Sequence, residues 1–176
     1  MGLDVYLYQF KGVNTDAILE LFRFEEKERP VAREKLVSRA RELGLPGEVF
    51  GKENLGGVNV RFSSKLYPKW MVGDWYSLST TRAIMEKFTG KELYYAFPEA
   101  RSSPRFFRPD WLEAKKRLTE LFEALRELGP PQLDSYCSGL SQSFDHHLSQ
   151  VGVMIETVDF VLGSEDPKEF LLLWSG

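Results

Sequence analysis

Asp145-His146-His147 sets three side chains able to ligate a divalent metal side by side. If the helix expected to end the chain begins before the triplet, adjacent residues diverge by about 100° around its axis. Two neighbouring imidazoles then cannot close on one ion. Helical ligands should be spaced i, i+3 or i, i+4. His147 falls at the edge of an apolar stripe and His146 on the solvent side, so the pair reads as one packed and one exposed histidine.

The same triplet spells the short signature of the DHH phosphoesterases. Those enzymes also need earlier Asp-bearing strand motifs and a longer chain, and neither is present. Pro109-Asp110 followed by Glu113-Ala114-Lys115 imitates the PD…ExK pattern of metal-dependent nucleases. In nucleases those acids converge from separate strands. Here they share the first turn of an expected helix, where Pro and acids are favoured by backbone geometry and the helix dipole. Gly56-Gly57 lacks the Lys-Ser/Thr of a P-loop. Ser135, Ser138, Ser141 and Ser143 have no readable elbow or base, and Cys137 has no activating partner at a fixed spacing. Catalytic residues remain unassigned, and neither cofactor nor metal is expected.

Charge is more informative. Residues 61–108 carry nine Lys/Arg against four Asp/Glu, while 109–176 carry five against twelve. The first sixty carry nine against ten, completing a net charge of −3. Within the basic middle, Arg61, Lys65, Lys69, Trp70, Trp75 and Tyr76 form one cationic-aromatic group, with Tyr67 beside them. Arg101, Arg105 and Arg108 form another around Phe106 and Phe107, on an expected loop. Cations interleaved with rings can stack on bases and contact phosphates, and they also anchor protein interfaces. They could equally be core rings, with the cations paired to the acidic C-terminal helices. The acidic isoelectric point, about 5.6, counts against a dedicated nucleic-acid binder. The reading reached is a non-catalytic binding or interaction module acting through 61–108, by self-association or with a protein partner. A binder of nucleic acid or another phosphorylated ligand is the first alternative, and a metal-assisted hydrolase the second.

The elements that must position these residues follow from periodicity and punctuation. Leu3 to Phe10 predicts a strand apolar on both faces, hence central in a sheet. Asn14 or Thr15 caps a helix burying Ile18, Leu21 and Phe22; Pro30 opens a second, burying Val31, Leu36, Val37, Ala40 and Leu43 and ending at Gly44. A loop over 44–57 precedes a half-buried strand at Val58–Phe62. Ser79 or Thr80 starts a short helix ended by Gly90, and Leu93–Phe97 predicts a further strand. Pro109 and Asp110 open a helix with the stripe Trp111, Leu118, Leu121, Phe122, Leu125 and Leu128. Leu140, Phe144, Leu148, Val151, Ile155, Val158 and Leu162 mark the last helix, and Phe170–Trp174 closes as a strand or apolar tail. The fold expected is α+β: a single globular domain over 1–176, with about five helices packed on a small mixed or antiparallel sheet.

GLDVYLY at 2–8, Ser64-Lys65-Leu66-Tyr67-Pro68, PDW at 109–111 and IETVDFVLGSEDPKEFLLLWSG at 155–176 together resemble a family of uncharacterised bacterial and phage-associated proteins. The resemblance spans most of the chain and implies one intact domain, without an activity. Family members follow the Tyr-Pro with an aromatic-Arg-Ser-Ser-Tyr-Asn segment. Gly73-Asp74-Trp75-Tyr76-Ser77-Leu78-Ser79 stands there instead, lacking the Arg and the Asn.

Other bounds are compositional. The 176 residues are 43% hydrophobic and 28% charged, an ordinary globular balance. One cysteine excludes an internal disulfide and fits a reducing cytoplasm. No apolar run approaches the roughly 18 residues of a membrane span, and the first residues carry neither a basic leader nor a myristoylation signal. A soluble, unanchored protein is expected. Scarce Asn and Gln with abundant Arg and Glu lean toward a thermophilic source.

Overall fold

Alternation along the last strand explains the whole layering. In the computed structural model, which describes residues 4–10, 14–45, 70–73, 86–87, 89–91, 95–102, 106–128 and 144–175, the strands are β1 (Asp4–Gln9), β2 (Trp70–Gly73), β3 (Phe106–Phe107) and β4 (Phe170–Ser175). They form one antiparallel sheet in the order β2-β1-β4-β3. β1 and β4 pair along their full length, from Asp4 opposite Ser175 to Gln9 opposite Phe170. Successive side chains of a strand point to opposite faces. Accordingly Phe170 and Leu172 join one apolar cluster with Leu7 and Phe107, while Leu171 joins a second with Phe10 and Phe106.

Each face is covered by a helical pair. α1 (Thr15–Lys27) and α2 (Arg33–Glu42) supply Ile18, Leu21, Phe22, Leu36 and Ala40 to the second cluster. α3 (Trp111–Leu128) and α4 (Phe144–Leu162) supply Trp111, Leu118, Leu121, Leu125, Val151, Met154 and Val158 to the first. The sheet is thus a middle layer, and β1, apolar on both sides, is internal to it as its pattern predicts. Lys115 pairs with Asp159, and a Cβ placed on Gly152 would lie 3.7 Å from Phe122. Lys115 to Phe122 and Asp159 back to Gly152 are equal steps of two helical turns, so α3 and α4 run antiparallel.

Local chemistry sets the helix ends. Asn14 caps α1, its Oδ1 accepting from the Asp16 N–H at 3.0 Å. Asp110 opens α3 by accepting from the Glu113 N–H at 3.0 Å. Gly44, at φ 72°, ends α2: its N–H donates to Arg41 O and that of Leu45 to Ala40 O. This is the paired closure that a left-handed residue makes possible.

Several expectations are corrected. Among the described residues there are four α-helices rather than about five. The short helix expected from Ser79 or Thr80 is seen only in helical residues 86, 87 and 89, ahead of Gly90 at φ 69°. α2 begins at Arg33 instead of Pro30, because Ala32 before it is extended, at ψ 142°. Tyr95–Phe97 is a turn entering a 3₁₀ helix, Pro98–Ser102, and not the end of a strand. Arg117 takes the Tyr95 carbonyl and Ala100 N–H takes that of Phe97, leaving neither for a ladder. In α4 the most buried line runs through His147, Val151, Met154, Val158 and Val161, with Leu148, Ile155 and Leu162 only partly covered. The loop at 44–57 beyond Leu45, the strand at Val58–Phe62 and Leu140 lie outside the described residues.

Leu118 is 0% exposed and Leu112, on the same helix, 71%. Leu118→Ala is expected to lower unfolding stability by about 2–5 kcal/mol and Leu112→Ala by no more than about 0.5 kcal/mol, as read by equilibrium urea denaturation.

Candidate functional site

Phe106 and Phe107, read from sequence as loop rings beside the arginines, are instead core residues, 3% and 2% exposed. As β3 they point to opposite faces. Phe106 packs against Phe22 and Tyr8, with ring centroids 5.1 and 5.7 Å away, and Phe107 against Phe97 at 6.1 Å. Two apolar residues in alternation are enough to anchor the strand at the sheet edge. This anchoring fixes the polar residues on either side.

Those polar residues surround a depression between α1 and the 3₁₀ helix. Leu19 and Arg23 come from α1, Glu99 and Ser102 from the 3₁₀ helix, and Arg108 from the residue after β3, with Phe106 and Phe107 forming the floor. The cavity volume is about 140 Å³. Glu99 Oε1 accepts from the Asp110 N–H at 3.2 Å, while Oε2 is shielded from solvent with no hydrogen-bond partner among the described residues. Ser102 Oγ donates to the Glu99 carbonyl at 3.2 Å. Arg23 is exposed and has no ion pair among the described residues.

Arg108 is committed to the fold. Its Nη1 donates to Thr15 Oγ1 at 2.7 Å and its Nη2 to Asp16 Oδ1. Thr15, itself buried, donates onward to the Lys168 carbonyl at 2.6 Å. One guanidinium therefore joins the start of α1 to the end of β3, and through Thr15 to the 3₁₀ turn at Pro167–Glu169 that precedes β4. With Arg108 neutralised by Asp16, the remaining charges among the described residues lining the depression are Arg23 and Glu99.

Part of the sorted charge is also answered inside the molecule. Lys91, from the basic middle, donates to Glu120 of α3 and to the Tyr95 hydroxyl, each at 3.2 Å, and Tyr95 donates to Glu120 at 2.7 Å. The Tyr95 hydroxyl, and then the Lys91 ammonium, hold the Glu120 carboxyl below its ordinary pKa. Arg117 lies over the same ring at 5.1 Å and bonds Glu113. The charged groups of this cluster are partly exposed, so it contributes modestly to stability.

Of the other residues singled out by sequence, Arg101 is exposed on the 3₁₀ helix and Trp70 stands in β2. Arg61, Lys65, Lys69, Trp75, Tyr76, Arg105 and Cys137 lie outside the described residues. Arg23, Glu99 and Ser102 were not singled out. No spacing rule links α1 to residues so distant in the chain, and only the sheet brings them together.

The histidines sit in the first two turns of α4, ring centroids 5.5 Å apart and nearly perpendicular at 84°. Among the described residues no three His, Cys, Asp or Glu side chains gather as a metal site. His147 is 1% exposed. Burial, reinforced by the nearby His146, lowers its pKa to about 4. The unfolded chain then binds the extra proton more readily, so stability is lost as pH falls from about 6.5 toward 4 and changes little further below that from this residue. The loss expected is about 3 kcal/mol. Urea denaturation across that window should show it, and His147→Leu should remove this share of the slope. In comparison with known proteins, no family model, curated protein or solved structure matches the chain.

Proposed function

We propose that the chain is a non-catalytic interaction module that uses residues 61–108 to associate with a second copy of itself or with a protein partner. The observation that supports this most directly is how 95–102 and 106–108 are held. Ala96, Phe97, Phe106 and Phe107 are rooted in the core, while Arg101 and Ser102 are exposed and Ser102 and the half-buried Glu99 line a depression. A segment fixed by its apolar residues presents its polar ones with little ordering entropy left to lose, which favours recognition.

Nucleic acid, the competing partner, draws support from the local excess of five positive charges. Lys91 and Arg108 are both engaged by acids of the same chain, which reduces the field left for phosphates. The reading also places the protein in a reducing compartment such as the cytoplasm, in keeping with its single cysteine. No helix among the described residues is long and apolar enough to cross a membrane.

Sedimentation of the purified chain and of an Arg101→Gln/Arg105→Gln variant tests the self-association arm. Arg108 is left intact so that the fold is not the variable. The wild type is expected to populate a dimer or higher species at micromolar concentration and the variant to shift toward monomer. Identical behaviour of the two overturns self-association through this segment. Tight binding of an oligonucleotide that weakens steeply with salt would favour the phosphate reading instead.

A further inference from the structure

The depression between α1 and the Pro98–Ser102 helix has one acid and one base left to offer. Glu99 Oε2 is shielded from water and has no hydrogen-bond partner among the described residues, which is unfavourable for a buried polar group. Arg23 stands on the same rim without an ion pair among the described residues, and the Ser102 hydroxyl keeps its acceptor capacity. Arg108, the other cation of the rim, is balanced by Asp16. The described lining of the site is therefore close to neutral and dipolar. A phosphate drawn to Arg23 would meet repulsion from the Glu99 carboxylate of the same lining. A ligand with a positive donor beside a negative acceptor meets attraction at both ends.

Size and floor narrow the class. The volume, about 140 Å³, suits a ligand of a few heavy atoms. Leu19, Phe106 and Phe107 give it an apolar base. We propose that this depression binds the zwitterionic head of a small free α-amino acid, the ammonium on Glu99, the carboxylate on Arg23, and a short apolar side chain against the two phenylalanines. The inference rests on the reading of 61–108 as a binding segment and assigns a ligand class to its described part.

The probes are L-alanine, N-acetyl-L-alanine, L-alaninamide and inorganic phosphate, titrated into isotopically labelled protein and followed by amide chemical shifts. L-Alanine is expected to bind in the millimolar range or tighter, shifting amides in 19–23 and 99–108. The acetyl and amide analogues, each lacking one charge, should bind about tenfold more weakly or worse, and phosphate should leave those amides unmoved. Arg23→Ala, at an exposed position, and Glu99→Gln should each weaken L-alanine by about tenfold, or 1.4 kcal/mol. If Glu99→Gln disturbs the fold through its bond to Asp110, Arg23→Ala alone decides. No shift with L-alanine, or equal shifts with phosphate, overturns the proposal. Should L-alanine fail while the Arg101/Arg105 variant still loses association, the ligand assignment falls and the interaction reading stands.

Discussion

The pairing of β1 with β4 is the constraint on which everything else depends. It joins strands from opposite ends of the described chain over six residue pairs, and Gln9 Nε2 reinforces it by donating to Glu169 Oε2 across 160 residues. Closing a loop of that length costs about 4–5 kcal/mol in chain entropy, beyond a length-independent part. Hydrogen bonds alone would not repay this and the ordering of the strands. The return comes from burial on both sides: Phe170, Leu171 and Leu172 are each essentially inaccessible, and they alternate between the two helical layers. A strand with one polar face could not hold two layers together.

That central pair also assembles the surface features. β3 has two residues and survives because both are buried phenylalanines hydrogen-bonded onto β4. Arg108, immediately after, ties β3 to α1, and Thr15 carries the tie to the turn before β4. Such a charge-assisted bond in a partly buried place is worth more than a surface ion pair. The sorted charge of the sequence is thus partly consumed internally, at Arg108–Asp16 and Lys91–Glu120. Arg23, on the depression's rim, has no ion pair among the described residues.

Periodicity made the long elements legible. The two-sided apolar run of β1, the Asn14 cap and the stripe of α3 all have the predicted form, because each is a local pattern enforced by one dominant neighbour. α4 shows the limit of that reasoning. It is packed by both α3 and the sheet, so apolar residues cover a broad arc and period alone does not say where its centre lies. The most buried line falls one position from the expected one, through Met154 and Val161. Phe106 and Phe107 were harder still, since two residues carry no period and their arginine neighbours argued for a loop. Glu99 and Arg23 were illegible for a different reason: their proximity is a product of sheet closure and has no local signature.

If β1–β4 pairing organises both layers, native-state amide hydrogen exchange should show it most directly. The account predicts that Leu7, Tyr8, Leu171 and Leu172 exchange only through global unfolding, as slowly as the centres of α3 and α4. Their protection should fall in parallel with that of α1 when denaturant is added. Exchange of the β1 amides well before those of α3 and α4 would contradict it, showing helical layers that persist without the central pair.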